Sequence, residues 1–78
     1  MTQTVRHEDS KVKRARLRAD QKLADGLPLT ITEIAARYYE GRPAVAQRFA
    51  GVEPDGKVGQ AFVYSEATIR RVMSGTAA

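Results

Sequence analysis

Residues 29–51, "LTITEIAARYYEGRPAVAQRFAG", contain two short helical patterns separated by a glycine. Thr30 and Glu33 have the spacing of a capping box, in which the hydroxyl and the carboxylate each bind an exposed backbone N–H of the first turn. The apolar residues that follow recur at helical spacing and predict one buried face, formed by Ile31, Ile34, Ala35 and Tyr38. We therefore expect a helix over about 31–39, with three charged side chains pointing outward: Glu33, Arg37 and Glu40.

A second helix is predicted directly after Gly41, which ends the first one. Pro43 suits a first helical turn because its missing N–H has no partner there in any case. The helix should cover about 43–50. Val45 and Phe49 lie four residues apart and should share its inward face, which leaves a different, polar face to Ala44, Gln47 and Arg48. Two short helices joined by a tight turn that contains glycine form a helix-turn-helix motif.

The next stretch, residues 51–66, "GVEPDGKVGQAFVYSE", predicts a hairpin rather than another helix. Pro54, Asp55 and Gly56 signal a turn, and residues 61–64 have strand propensity, with Phe62 and Tyr64 on one side. Ser65 should then cap a last helix that runs from Glu66 to Met73. The predicted order is thus helix, turn, helix, two-stranded hairpin and helix.

Upstream of the motif, residues 10–24 predict a strongly basic helix, which Asp25, Gly26 and Pro28 bring to a stop. Six Lys or Arg residues face a single acid, Asp20, so this window carries a local charge of +5. Its apolar stripe is thin, consisting of Val12, Ala15, Ala19 and Leu23, so both a loosely attached arm and a core helix are consistent with it. Such a charge cluster favours a polyanionic partner, and the alternative is a solvated helix face.

Composition limits the size and class of the protein. The 78 residues suffice for one domain, and with 6% aromatic residues and no Trp the core should be small. The chain has no Cys and one histidine, His7, which argues against disulfides and zinc sites, so we expect no metal and no cofactor. No apolar run approaches the length of a membrane span or of a signal peptide, so we expect an intracellular protein.

Three segments, "LTITEIAARY", "AVAQRF" and the glycine-rich basic hairpin that ends in "VYSEATIRRV", together carry a family resemblance. Over about 29–73 the chain resembles the winged helix-turn-helix DNA-binding domains of MerR-like regulators, phage excisionases and terminase small subunits. The resemblance implies a mainly α fold with a small β-hairpin, in which the second helix enters the major groove and the hairpin, or wing, reaches the backbone. It also implies Ala35 as the small residue of the first helix, Val45 and Phe49 as inward residues, and Tyr64 as the anchor of the wing.

The predicted organisation is therefore a disordered tail over 1–9, a basic N-terminal helix or arm over 10–28, the winged helix-turn-helix domain over 29–73 and a disordered tail over 74–78. Gly41 lies two residues later than the glycine typical of the family, and Tyr39 stands where the turn should begin. We therefore expect a longer turn between the two helices.

Candidate DNA contacts follow from residue chemistry, because cations bind phosphates and hydrogen-bonding side chains read base edges. The candidates for base contacts are Arg42, Ala44, Gln47 and Arg48. The candidates for the backbone are Lys57 and Gln60 on the hairpin, with Lys11, Lys13, Arg14, Arg16 and Arg18 on the N-terminal helix. The alternative for Gln47 and Arg48 is ordinary solvated surface.

We thus expect a small, sequence-preferring protein that binds double-stranded DNA in a bacterial cell, on the nucleoid, as a homodimer or cooperative oligomer. Its source would be a phage or mobile element, and its role that of an excisionase-like factor, a transcriptional regulator or a DNA-packaging subunit. No enzymatic activity and no small-molecule substrate are expected, since the carboxylates fall at caps, turns and exposed positions. Two alternatives stay open: an adaptor that docks on an acidic protein surface, and RNA binding by residues 11–22.

Overall fold

The computed structural model describes residues 10–74, so the tail predicted over 1–9 and residues 75–78 of the C-terminal tail lie outside it. The described chain is mainly helical, with four helices and one small antiparallel sheet. The elements in chain order are α1 (Ser10–Ala24), β1 (Leu29–Thr30), α2 (Ile31–Arg37), α3 (Arg42–Arg48), β2 (Gly56–Val58), β3 (Ala61–Tyr64) and α4 (Glu66–Met73).

The predicted bounds of α1 and α4 are confirmed, and the differences lie around the turn between α2 and α3. α2 ends two residues earlier than predicted because the backbone at Tyr39 adopts a left-handed conformation, with φ of 58°. The Glu40 N–H then bonds the Ala35 carbonyl at 3.0 Å. α3 begins and ends slightly earlier than predicted, and Phe49 forms its C-cap.

The predicted capping box of α2 is confirmed. The Glu33 N–H donates to Thr30 Oγ1 at 3.3 Å, and the Thr30 N–H donates to Glu33 Oε1 at 3.0 Å. Together the two bonds satisfy two backbone N–H groups that the start of a helix leaves without partners. This box fixes the point where the chain passes from β1 into α2.

The predicted hairpin is present, but it belongs to a three-stranded sheet with the order β1-β3-β2. Leu29 pairs with Tyr64 and Thr30 with Val63 on one side of β3, while Gly56, Lys57 and Val58 pair with Val63, Phe62 and Ala61 on the other. β1 was not predicted because two residues are too few to show an alternating pattern. It ties the segment before α2 to the base of the hairpin.

The core lies between the helices and one face of this sheet. Its fully buried large side chains are Leu29, Ile34, Val45 and Ile69. Phe49 and Tyr64 are also buried, and their ring centroids lie 4.6 Å apart at a tilted angle, which is a favourable arrangement for two aromatic rings. The predicted inward positions of Val45 and Phe49 and the buried position of Tyr64 are thus confirmed.

α1 packs against α2 through two alanines, Ala15 and Ala19, which are both buried. Small side chains at these positions let the two helix backbones approach closely. Of the two possibilities left open by the sequence, a loose arm and a packed helix, the structure has the packed helix.

Two predictions for α2 are wrong. Glu33 was expected to point outward, but only 4% of its surface is exposed, because cations of α1 cover it. Tyr38 was expected in the buried stripe, but it is 38% exposed, since α2 ends at Arg37 and the turn directs the ring away from the core. In the part of the chain that the structure describes, no helix is long and apolar enough to cross a membrane.

Candidate nucleic-acid interface

Arg42 connects the starts of α2 and α3, because its Nε donates a hydrogen bond to Thr32 Oγ1 at 3.0 Å. A groove of about 270 Å³ lies between these two helix starts and the hairpin. We call it the hairpin groove, and its walls are Thr30, Ile31, Thr32, Arg42, Gln60, Ala61, Phe62 and Tyr64. It brings together Arg42, a predicted base contact, and Gln60, a predicted backbone contact.

Two further depressions continue this surface toward α1. One, of about 290 Å³, lies between α1, α2 and the turn before α3, and both Thr32 and Arg42 border it, together with Lys11, Val12, Ala15, Ala35, Ala36, Glu40 and Gly41. The other is bordered by Lys11, Arg14, Arg18 and Thr32. Because all three depressions meet at Thr32, they form one surface, which we call the Thr32 surface. Its polar and aromatic members are Lys11, Arg14, Arg18, Thr30, Thr32, Glu40, Arg42, Gln60, Phe62 and Tyr64.

The predicted phosphate contacts on α1 do not share one side of the helix. Lys11, Arg14 and Arg18 follow one another at spacings of three and four residues, which places them on the side next to Thr32. Lys13 and Arg16 lie on the other side. Arg16 Nε donates to the Ala36 carbonyl at 3.0 Å, and its guanidinium lies 4.1 Å from the centroid of the Tyr39 ring. Arg16 thus braces the end of α2.

The outward face of α3 is exposed, as predicted, at Ala44, Gln47 and Arg48. α1 packs on α2 and does not cover this face. Arg48 is held by Glu40, with 3.4 Å between Nη2 and Oε2. Arg42 and Arg48 are six residues apart and so lie on different sides of α3. The predicted base contacts therefore form an exposed centre, Ala44 and Gln47, with one arginine on each flank.

Glu33 neutralises part of the charge of α1. Its carboxylate accepts hydrogen bonds from Lys22 Nζ at 2.9 Å and from Arg18 Nε at 3.4 Å. Burial by itself raises the pKa of Glu33, but the hydrogen bond from the Thr30 N–H, the bond and charge of Lys22 and the bond from Arg18 outweigh it, so the pKa lies below its usual value. The carboxylate thus stays ionised and holds α1 against the start of α2.

Several cations near the Thr32 surface have no such carboxylate partner. Within residues 10–74, Arg14, Arg42 and Lys57 make no ion pair, and neither does Lys13 on the far side of α1. Lys57 lies on the hairpin with its Nζ 5.6 Å from the centroid of the Phe62 ring. No ion pair within residues 10–74 cancels the charge of these side chains, which suits them to phosphate groups or, for Arg42, to a guanine edge.

Asp55 holds the base of the hairpin to α4, a role that the sequence did not indicate beyond a turn. Its Oδ2 accepts hydrogen bonds from the Ser65 N–H at 2.7 Å and from Thr68 Oγ1 at 2.9 Å. The bond from the Ser65 backbone, followed by the bond from Thr68, lowers the pKa of Asp55. The exposed hairpin is thereby attached to the rest of the fold at both of its ends.

Sequence reasoning missed two members of the candidate interface. Thr32 was not among the candidate contacts, while the structure makes it the meeting point of the three depressions. Phe62 was expected on the same side as Tyr64, and it does border the hairpin groove with it, but it is 52% exposed. An alternating pattern gives the side of a strand but not the depth of each position along it.

Comparison with models of known protein families, with curated proteins and with solved structures gave no match to this chain. Among residues 10–74, no group of three or more His, Cys, Asp or Glu side chains is arranged to hold a metal ion.

Proposed function

We propose that this chain is a small double-stranded DNA-binding protein of the winged helix-turn-helix type. In this proposal α3 enters the major groove with Ala44 and Gln47 toward the base edges, and the β2–β3 hairpin lies along the neighbouring backbone. The order α2, turn, α3, hairpin agrees with the family resemblance of residues 29–73. The exposed outward face of α3 leaves room for such an arrangement.

The observation that carries the proposal is the Thr32 surface. It joins Arg14 on α1, Arg42 at the start of α3 and Gln60 on the hairpin into one continuous surface. Two of its cations, Arg14 and Arg42, make no ion pair within residues 10–74, whereas Arg18 is held by Glu33 and several arginines elsewhere are held by Asp20, Glu40 and Glu66. Such uncancelled cations beside an exposed helix face supply both the affinity and the hydrogen-bonding groups that DNA recognition requires.

The size of the chain bears on how it would act. One domain of 78 residues contacts few base pairs, so we propose binding as a homodimer or as a cooperative oligomer. Within this class we propose an excisionase-like factor or a transcriptional regulator of a phage or mobile element, acting in the bacterial cell. A DNA-packaging subunit is the third role in the same class.

The test is fluorescence anisotropy of a labelled duplex of random sequence, titrated with the protein over a series of salt concentrations. The variants are Arg14→Ala and Lys57→Ala, and the matched control is Arg70→Ala, which removes an equal charge from the exposed face of α4. We expect steep weakening of binding with salt, and a slope that is shallower by about 0.9 for each phosphate contact removed. Arg70→Ala should keep the slope of the wild type.

Two outcomes would overturn the proposal. The first is no binding to the duplex at low salt. The second is equal weakening by all three variants, since that would reflect total charge rather than a site. Tight binding to polyglutamate in place of the duplex would favour the alternative of an adaptor for an acidic protein surface.

A further inference from the structure

Phe62 is an aromatic side chain on the hairpin that the core does not use. It is 52% exposed, although the next two residues of β3, Val63 and Tyr64, are buried. Phe62 pairs with Lys57 of β2, and the next residue, Val63, pairs with both β1 and β2. The ring is thus attached to a fixed part of the sheet while about half of its surface remains in contact with solvent.

The surroundings of the ring are cationic and polar. Lys57 Nζ lies 5.6 Å from its centroid, and Arg42 and Gln60 border the same groove. None of the eight residues that line the hairpin groove is a carboxylate. An exposed ring between uncancelled cations suits a polyanion that also presents apolar groups, and duplex DNA has both phosphates and thymine methyl groups.

Phe62 and Arg42 both form walls of one groove of about 270 Å³, so DNA that contacts this groove meets both side chains. We propose that Phe62 is a specificity-determining residue, which makes an apolar contact with the 5-methyl group of a thymine next to the base that Arg42 contacts. This inference rests on the proposed function and adds a sequence-reading role to the hairpin.

The position of the ring favours a base-edge contact over insertion between stacked bases. A side chain that wedges into the duplex has to project from the element that carries it. The turn of the hairpin lies at Gly59 and Gln60, whereas Phe62 sits one residue inside β3 and forms a wall of a recess. Its exposed edge is therefore suited to a methyl group that projects into the groove.

The experiment begins with selection of the preferred duplex from a random pool by the wild-type protein. Dissociation constants are then measured for this duplex and for versions in which one thymine at a time is replaced by deoxyuridine, which removes only the methyl group. We expect one replacement to weaken wild-type binding by about fourfold, the effect of exposing one methyl-sized apolar group. Phe62→Ala should bind the selected duplex and this deoxyuridine version of it equally.

Two further variants separate this contact from general effects. Phe62→Leu keeps an apolar side chain and should retain part of the penalty for deoxyuridine. Lys57→Ala should weaken binding to all duplexes and lower the salt slope, yet keep the full penalty. Circular dichroism on each variant checks that the fold is intact, which we expect because Phe62 is half exposed.

The proposal fails if the wild type is indifferent to every deoxyuridine replacement while it still binds its selected site. It also fails if Phe62→Ala still binds the deoxyuridine duplex more weakly than the thymine duplex. A third contrary result is that Phe62→Ala weakens binding to all duplexes equally and abolishes a DNA bend, measured by energy transfer between the DNA ends, since that would indicate insertion of the ring between bases. Failure to bind any duplex would instead remove the proposed function itself, so the two failures are distinguishable.

Discussion

The N-terminal helix and the hairpin differ in how they use their cations. α1 carries six Lys or Arg residues, and residues 56–64 of the hairpin carry one, Lys57. Yet at least three of the six on α1 bind protein groups: Arg16 holds the Ala36 carbonyl, and Arg18 and Lys22 hold Glu33. The density of charge along a sequence thus overstates the charge that a helix can offer to a partner.

The hairpin carries little charge, but its charge is exposed. Its single cation makes no ion pair within residues 10–74, and its neighbours Val58 and Phe62 are exposed. The fold uses the backbone of the hairpin for the sheet and Asp55 for its attachment to α4, and it leaves the outer side chains exposed. α1 therefore commits part of its charge to the fold, whereas the hairpin keeps its single cation exposed.

The largest expected effect tests the bracing role of α1. Glu33→Ala removes the carboxylate that Lys22 and Arg18 bind, and it also removes half of the capping box of α2. Because a buried, charge-assisted hydrogen-bond network is lost, we expect the free energy of unfolding to fall by about 2 kcal/mol. Urea denaturation followed by circular dichroism measures the change.

Glu66→Ala is the matched control, because it removes an exposed carboxylate that pairs with Arg70 within α4. Its cost should stay below about 1 kcal/mol, as expected for an exposed pair near a helix start. Equal losses of unfolding free energy in the two variants would show that Glu33 does not hold α1. The cations of α1 would then be no more committed to the fold than Lys57 of the hairpin.

Acid provides a second test of the same contacts. The pKa of Glu33 in the folded protein lies below its ordinary value of 4.5, so the ionised form stabilises the fold. This stabilisation is fully present above pH 4.5 and disappears as the pH falls through the lower folded pKa. Asp55, with an ordinary value of 3.8, contributes in the same direction.

We therefore expect the urea midpoint of the wild type to be flat near neutral pH and to fall as the solution becomes more acidic than pH 4.5. In Glu33→Gln and Asp55→Asn the fall should be smaller, since each variant lacks one of the two carboxylates. A fall as large as that of the wild type in both variants would show that other groups cause the acid sensitivity.

How much of this fold the sequence predicts depends on whether the signal is local. The bounds of α1 and α4, the capping box of Thr30 and Glu33, and the inward positions of Val45 and Phe49 follow from spacing within one turn or two. The burial of Glu33 does not, because it depends on Lys22 and Arg18 of α1, which approach only once the two helices pack. β1 was missed for the same reason, since its pairing partners lie more than 30 residues away.

The candidate site shows the same limit. Residue chemistry selected Arg42, Gln60 and Arg14 as separate candidates, and only the packed fold brings them onto the Thr32 surface. Chemistry also selected Arg16, which instead bonds the Ala36 carbonyl and lies against the Tyr39 ring. The sequence therefore lists more cations than the folded protein can offer to a partner, because tertiary contacts use some of them.

A smaller effect is expected at Tyr39, which adopts a left-handed conformation that favours glycine and places its 72%-exposed ring on Arg16. Tyr39→Gly removes the backbone strain, whereas Tyr39→Ala keeps it, so the glycine variant should be more stable by about 1 kcal/mol. At Tyr38, with an ordinary φ of −99°, the order should reverse and alanine should be the more stable. Thermal unfolding of the four variants measures both differences, and the same order at both positions would contradict a strained turn.

The smallest expected effect is a difference in DNA binding between the two sides of α1. Arg14 and Lys13 are adjacent and exposed, and neither makes an ion pair within residues 10–74, but only Arg14 borders the Thr32 surface. Arg14→Gln and Lys13→Gln remove the same charge, so long-range attraction alone would weaken binding equally. A local phosphate contact should instead make Arg14→Gln bind about threefold more weakly, with a salt slope lower by about 0.9, and leave Lys13→Gln like the wild type. Equal salt slopes in the two variants would mean that α1 acts through its total charge, and DNA contact would then be confined to α3 and the hairpin.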